Sequence, residues 1–270
     1  MEDYMSIHPT AVIDPKAELD TSVHVGPYAV IGEGVRIGAG SRVEAHSVVS
    51  GPTTLGERNF IGSFATIGGA PQDLSYSGEP TELIIGNDNQ IREYASIHRG
   101  TPSGHGKTVI GNNNLLMAYT HVAHDCILGN HIILANVATL AGHVEVGDRA
   151  SIGGLVAIHQ FCRIGEYSYV GGLSGLSLDV PPYIIVSGTR GNTRISGINK
   201  IGLKRNGFSR ETINEIKEAF RLIFRSPNLL MKDAINLAHE QYPHNLEVEK
   251  LVTFFRESKR GVVKQTTDTE

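Results

Sequence analysis

Over the first two thirds of the chain the apolar positions follow neither the period of 2 of a half-buried strand nor the period of 3.6 of a helix. Every sixth residue from Ile7 is aliphatic: Ile7, Ile13, Leu19, Val25, Ile31, Ile37, Val43, Val49, Leu55, Ile61 and Ile67. The frame returns at Ile85, Ile91 and Ile97, slips by one residue, and resumes at Ile110. It then runs through Leu116, Val122, Leu128, Leu134, Leu140, Val146, Ile152, Ile158, Ile164 and Val170 to Leu176. A hexapeptide period with one inward aliphatic per repeat predicts a parallel β-helix in which each repeat is a short strand and a turn. Three repeats close a triangular coil, so each aliphatic stacks on the one eighteen positions further on, with coils about 4.8 Å apart.

Two segments break the frame. Residues 68–84 place Asp73 and Glu79 where aliphatics belong, and residues 98–109 are rich in Gly, Pro and polar groups. Both read as loops thrown out of the prism, the usual carriers of function on a rigid scaffold. After Leu178 the run Asp179-Val180-Pro181-Pro182-Tyr183 stops the repeat, and a Gly-rich connection leads to about Asn206. Ser209 then reads as an N-cap with Glu211 in the first turn, ahead of Ile213, Ile216, Phe220, Ile223 and Phe224 at helical spacing. Pro227 ends that helix; a second is expected near 229–241, a third near 246–260, and a frayed tail from Lys264 to Glu270. The expected fold is all-β plus small α: a β-helix domain over 1–190 and a C-terminal helical domain over 191–270.

Composition agrees. Glycine is 31 of 270 residues, about 11%, against a usual share of roughly 7%. Aromatics are 6% and Trp is absent, as a narrow interior with many turns requires. A net charge of -4 argues against a general nucleic-acid binder. No apolar run is long enough to span a membrane and the opening MEDYM is no signal peptide, so the expected compartment is the cytoplasm. Cys126 and Cys162 lie two coils apart, beyond disulfide reach. From Val180 to Arg210 the chain carries Arg190, Arg194, Lys200, Lys204, Arg205 and Arg210 with no acid, which argues for an anionic partner.

Seven of the twelve histidines fall between His98 and His159, and the frame turns their spacing into geometry. His124, Gly142 and Gln160 share one column, Asp125 lies beneath His143, and His121 and His159 stand close by. One reading makes His124 a general base, with Asp125 fixing its tautomer and the Gly142 N–H facing an oxyanion. Solvated corner groups are a second reading, and a zinc-type set of His98, His121 and His124 is a third.

The decoration of the repeats is more specific. Gln72-Asp73-Leu74-Ser75-Tyr76-Ser77-Gly78-Glu79-Pro80, Ile97-His98-Arg99-Gly100-Thr101, His121-Val122-Ala123-His124-Asp125-Cys126, Leu140-Ala141-Gly142-His143, His159-Gln160-Phe161-Cys162 and Gly202-Leu203-Lys204-Arg205 resemble the UDP-N-acetylglucosamine O-acyltransferases of lipid A synthesis. The resemblance runs from about Ser6 to Gly261. It implies a left-handed parallel β-helix, a homotrimer, and transfer of an (R)-3-hydroxyacyl group from acyl carrier protein to the 3-position of the UDP-sugar. No cofactor or metal is implied beyond the phosphopantetheine arm of that donor. By the same resemblance His124 is the base, Asp125 its orienting acid and Gly142 the oxyanion donor. Gln72, Asp73, His121, His143, His159 and Gln160 match positions that hold the sugar nucleotide or line the acyl groove, and Asn199 and Arg205 match phosphate contacts. Gly172 matches the position that limits acyl length, and a glycine there implies a long chain. The sequence departs from the best-known members at Ser75, where lysine is common, at Ile201, which replaces a glutamate, and at Asn206, which replaces an arginine. The departures leave room for a 3-amino sugar as acceptor. A metal-dependent β-helix hydratase is the competing reading from another chemical class.

Overall fold

Most hexapeptides form a strand of two to four residues that ends on the aliphatic; Thr66–Gly69 and Ser96–His98 run past theirs, and Ile7 makes only an isolated bridge to Val25. The structure, a computed structural model, describes residues 7–264, so the MEDYM segment and 265–270 of the expected frayed tail lie outside it. From Val25 to Leu176 every stacked aliphatic is buried; Ile7, in the first coil, is 41% exposed. The strands make three sheets of nine, eight and ten members, parallel throughout except for one final pair. Partners such as Thr139 and Ala157, or Leu134 and Ile152, sit eighteen positions apart as expected.

The faces differ in what they point outward. One presents Val12, Val30, Val48, Thr66, Ser96, His121, Thr139, Ala157 and Gly175 in a single row with no Lys, Arg, Asp or Glu, and is called here the histidine face. The charged face carries ion pairs such as Glu18–Arg36 and Glu145–Arg163. The third, the hairpin face, continues beyond Tyr169–Val170 into Ile184–Ser187, which pairs antiparallel with Arg194–Ile198. Residue 190, where the sequence placed the junction between domains, is in the turn of this hairpin. The turn lies over the end of the histidine face, with the Gly175 N–H donating to the Gly188 carbonyl.

Glycine turns out to serve a different purpose from the one expected. Apart from Gly34 and Gly40, the left-handed corner positions of the repeats are mostly filled by ordinary residues, among them Tyr28, Phe64, Asp125 and His143, all with φ near +60°. The glycines that follow the aliphatics instead allow coils to approach each other. A Cβ on Gly62 would lie 2.7 Å from the Glu93 backbone nitrogen of the next coil, closer than packed atoms tolerate.

Register locates both loops. Leu83 pairs with Thr53, thirty positions back, so twelve residues are extruded between Gly69 and Glu82. Ile110 pairs with Ile85, twenty-five back, so seven more are extruded between His98 and Lys107. The loops are thus shorter at both ends than the sequence suggested, because Glu82–Ile85 and Lys107–Ile110 are strands. Both leave from the edge between the histidine and charged faces.

The C-terminal part holds four helices. α1 (Lys200–Arg205) was not anticipated in the Gly-rich connection; it is N-capped by Asn199, whose side chain accepts from the Gly202 N–H. α2 (Arg210–Arg225) starts at Ser209 as expected, with the Ser209 side chain accepting from the Thr212 N–H. α3 (Met231–Gln241) and α4 (Leu246–Glu257) follow, and the three long helices bury Ile216, Ala238 and Leu251 against one another and the prism. After α4 the chain returns to the prism, where Val262 pairs with Asp179. Cys126 and Cys162 are both free and buried, and burial pushes their thiols up to about 12 and about 11. Among the described residues no helix is long and apolar enough to cross a membrane.

Candidate active site

The edge between the histidine and charged faces repeats a tight turn whose third residue is left-handed: Asp125, His143 and Phe161 in successive coils. That backbone stacks Phe161 on His143 at 4.4 Å between ring centres and sets the His124 ring edge-on to His143 at 5.2 Å. His124 Nδ1 lies 2.8 Å from Asp125 Oδ2, with 15% of the imidazole and none of the carboxylate exposed.

The extruded seven-residue loop wraps the Asp125 carboxylate. Thr101 donates from Oγ1 at 2.6 Å and from its backbone N–H, and the His105 N–H donates at 2.8 Å. Burial pushes the Asp125 pKa up, but these hydrogen bonds and that of His124 outweigh it, so the carboxyl sits below its ordinary value. A saturated, ionised carboxylate orients His124 so that Nδ1 carries the proton and Nε2 offers a lone pair. The tautomer follows from this hydrogen-bond pattern.

Gly142 sits one coil above. A Cβ there would lie 2.6 Å from Cε1 and 2.8 Å from Nε2 of His124, so any side chain would displace the imidazole. Its N–H donates to no protein group among the described residues. His121 accepts or donates at Nδ1 with Ser96 Oγ at 2.7 Å, and burial followed by the nearby His124 lowers its pKa. His98 lies edge-on to His121 and is lowered to about 4, chiefly by burial. Among the described residues the zinc-type set of His98, His121 and His124 is not assembled. The group whose ligand atoms lie within 4.8 Å of one another is His124, Asp125 and His143.

Of the twelve-residue loop, Asp73 lies towards His124 and Asp125. Its carboxyl is lowered mainly by the backbone N–H and hydroxyl of Ser75, both at 2.8 Å. Gln72 is exposed on the same loop. His159 and Gln160 stand on the same edge, one coil above Gly142, and His159 Nδ1 meets Arg260 Nη2 at 2.8 Å.

Three expected site residues lie elsewhere in this chain. Gly172 is on the edge between the hairpin and histidine faces, beside Leu173. Asn199, the N-cap of α1, and Arg205, its last residue, lie over the edge between the charged and hairpin faces, where Asn199 Nδ2 donates to the Tyr167 carbonyl at 2.9 Å. There Arg149 donates to the Asn206 side chain at 2.6 Å. Sequence reasoning missed Thr101 and Arg260, since neither lies in the six-residue frame.

A hexapeptide prism with a His–Asp pair and a glycine against the imidazole defines a hexapeptide-repeat acyltransferase. The hexapeptide transferase family model matches residues 34–69 and 107–142, and the model described as UDP N-acetylglucosamine O-acyltransferase, domain 2, matches 179–263. Curated acyl-[acyl-carrier-protein]–UDP-N-acetylglucosamine O-acyltransferases from Halorhodospira halophila and Thermodesulfovibrio yellowstonii are 50% and 51% identical. They align over 96% and 95% of this chain and 99% and 98% of their own. The solved LpxA of Acinetobacter baumannii superposes with a TM-score of 0.92 at 46% identity, covering 96% of this chain and all of that one. The chain belongs to the acyl-[acyl-carrier-protein]–UDP-N-acetylglucosamine O-acyltransferase family, and it is an acyltransferase with a left-handed β-helix.

Proposed function

We propose that this chain transfers an (R)-3-hydroxyacyl group from acyl carrier protein to the 3-hydroxyl of UDP-N-acetylglucosamine in the cytoplasm, as the first step of lipid A synthesis. The observation that carries the mechanism is the 2.8 Å pair of His124 with a fully hydrogen-bonded Asp125. His124 Nε2 removes the proton from the sugar hydroxyl as its oxygen attacks the thioester carbonyl. The resulting oxyanion faces the free Gly142 N–H. Collapse expels the phosphopantetheine thiolate, which takes the proton back from the imidazolium. Asp73, Gln72, His121, His143, His159 and Gln160 bind the sugar nucleotide or line the groove. The acyl chain runs along the histidine face, past the small outward residues Thr139 and Ala157, towards Gly172. No cofactor enters beyond the pantetheine arm of the donor.

We further propose a homotrimer. The edge between the hairpin and histidine faces exposes Tyr28, Phe64, Tyr94, Tyr119, Leu155 and Leu173 in one largely apolar column, with His46 stacked between the first two. Three copies with this edge inward bury the column and set the histidine face of one opposite the hairpin face of the next. That arrangement carries Asn199 and Arg205 of one copy to the His124 edge of its neighbour, which accounts for their distance from it within a single chain.

His124→Ala should lower transfer from acyl carrier protein, read by product mass, by about a thousandfold or more, with the trimer intact by sedimentation. A near-normal rate would remove His124 as the base. Product analysis with each sugar and a ladder of donors separates hydroxyl from amine acceptors, and a preference for short chains would contradict the part given to Gly172.

A further inference from the structure

We infer that Arg260 is a positioning residue that holds His159 with its proton on Nε2, making it an obligate hydrogen-bond donor to an oxygen of the sugar nucleotide. The inference rests on the reading that His159 faces that substrate.

Arg260 comes from the segment that leaves α4 and returns to the prism. The segment is pinned to buried Asp179: Ser258 Oγ donates to Asp179 Oδ2 at 2.7 Å, the Asp179 N–H to the Gly261 carbonyl at 2.9 Å, and the Val263 N–H to the Asp179 carbonyl at 3.0 Å. Gly261, at φ +86°, makes the turn that follows Arg260. So held, the guanidinium donates from Nε to the Ser177 carbonyl at 2.8 Å and from Nη2 to His159 Nδ1 at 2.8 Å.

A guanidinium has only donors and keeps its charge at any working pH. His159 Nδ1 must therefore present a lone pair, and the ring proton is on Nε2. The same Nδ1 lies 3.2 Å from the Gln160 carbonyl, a contact that requires a proton on Nδ1. The two partners demand opposite tautomers. Arg260 wins because its bond is shorter and charge-assisted; without it the carbonyl would claim the proton and Nε2 would turn from donor to acceptor. Nε2 has no protein partner among the described residues and is not one of the buried unpaired atoms, so this reversal is felt where a ligand binds.

The test uses the full-length protein with 15N-labelled histidine, the His159 signal being assigned by its loss in His159→Gln. Wild type should show the Nε2–H tautomer, and Arg260→Met should shift it to Nδ1–H. A Nδ1–H ring in wild type, or no change in the variant, overturns the inference. In kinetics Arg260→Met should raise KM for the UDP-sugar about tenfold with little change in kcat. Glutamine places an N–H where Nε2–H stood, so adding Arg260→Met to His159→Gln should cost nothing further. A full tenfold loss in that background would mean that Arg260 merely anchors the C-terminal segment. If His159→Ala leaves KM unchanged, the placement of His159 against the substrate fails while the tautomer result stands.

Discussion

Two edges of the prism are lined with polar side chains, and they differ in what those side chains have left to give. On the edge between the charged and hairpin faces, Asn59, Asn89 and Asn114 form a buried ladder. Asn89 Nδ2 donates to Asn59 Oδ1 and the Gly111 carbonyl at 3.0 Å each, and Asn114 Nδ2 to the Gly129 carbonyl at 3.0 Å. Their carbonyl oxygens accept backbone N–H groups of the next coil. The ladder satisfies itself and has nothing to offer a ligand. On the histidine edge Asp125 is saturated, while among the described residues His124 Nε2, the Gly142 N–H and His159 Nε2 have no protein hydrogen-bond partner. A polar column with spare donors and acceptors is what chemistry needs; a closed one is structure.

The sharpest way to break this contrast is Asp125→Asn. The amide cannot accept from Thr101, His105 and His124 together, so His124 loses its orienting partner and adopts the wrong tautomer. We expect kcat to fall about a thousandfold or more and the unfolding temperature to drop as the Thr101 loop loosens. A rate within a few-fold of wild type would show that His124 does not depend on Asp125. Gly142→Ala ranks next. Its methyl would occupy the space of the imidazole Cε1, so the ring must turn away, and we expect about a hundredfold loss in kcat with stability nearly unchanged. The opposite pattern, lost stability with normal turnover, would make Gly142 a packing glycine like Gly62.

Asn89→Ala should do the reverse of both. It strands the Gly111 carbonyl and the Asn114 N–H in the interior, costing about 3 kcal/mol of stability by denaturant unfolding, with kcat unaltered in the folded fraction. Loss of activity at full stability would mean that the asparagine edge also takes part in the reaction, a result to compare with variants of Asn199 and Arg205 on the same edge.

Much of this was legible because the six-residue period is both a sequence pattern and a distance. Once Val122, Leu140 and Ile158 are known to be inward, the shared column of His124, Gly142 and Gln160 follows without further information. The extruded loops obey no period, so the frame could flag them but could not say that Thr101 folds back onto Asp125. Arg260 was out of reach for a similar reason: it is a hundred residues from His159 and arrives there only because Asp179, read as a stop signal, also pins the C-terminal segment. The expectation for glycine failed at most corners because the repeating turn holds residues such as Tyr28 and His143 in the left-handed conformation, whereas at Gly62 an added Cβ would meet the backbone of the next coil. Gly172, Asn199 and Arg205 were placed by resemblance rather than by the frame, and within one chain they sit on two other edges.

The smallest expected effect distinguishes the edges by pH. Burial first, and the neighbouring His121, His124 and Arg99 after it, hold His98 at about 4 in the folded protein, against an ordinary histidine value near 6.5 when unfolded. His121 and His143 are lowered as well, again mainly by burial. Between those values the unfolded chain binds protons that the folded one refuses, so this contribution to stability is intact above about pH 6.5 and shrinks as the pH falls towards 4. Urea unfolding at pH 7.5 and pH 5 should therefore show lower stability at the acid end, and His98→Gln should flatten the slope by removing one titrating group. In Asn89→Ala the slope should persist beneath a uniformly lowered curve, because the asparagine ladder holds no group that titrates in this range. An unchanged slope in His98→Gln would show that His98 does not supply the acid sensitivity and leave it to the other lowered histidines, His121 and His143.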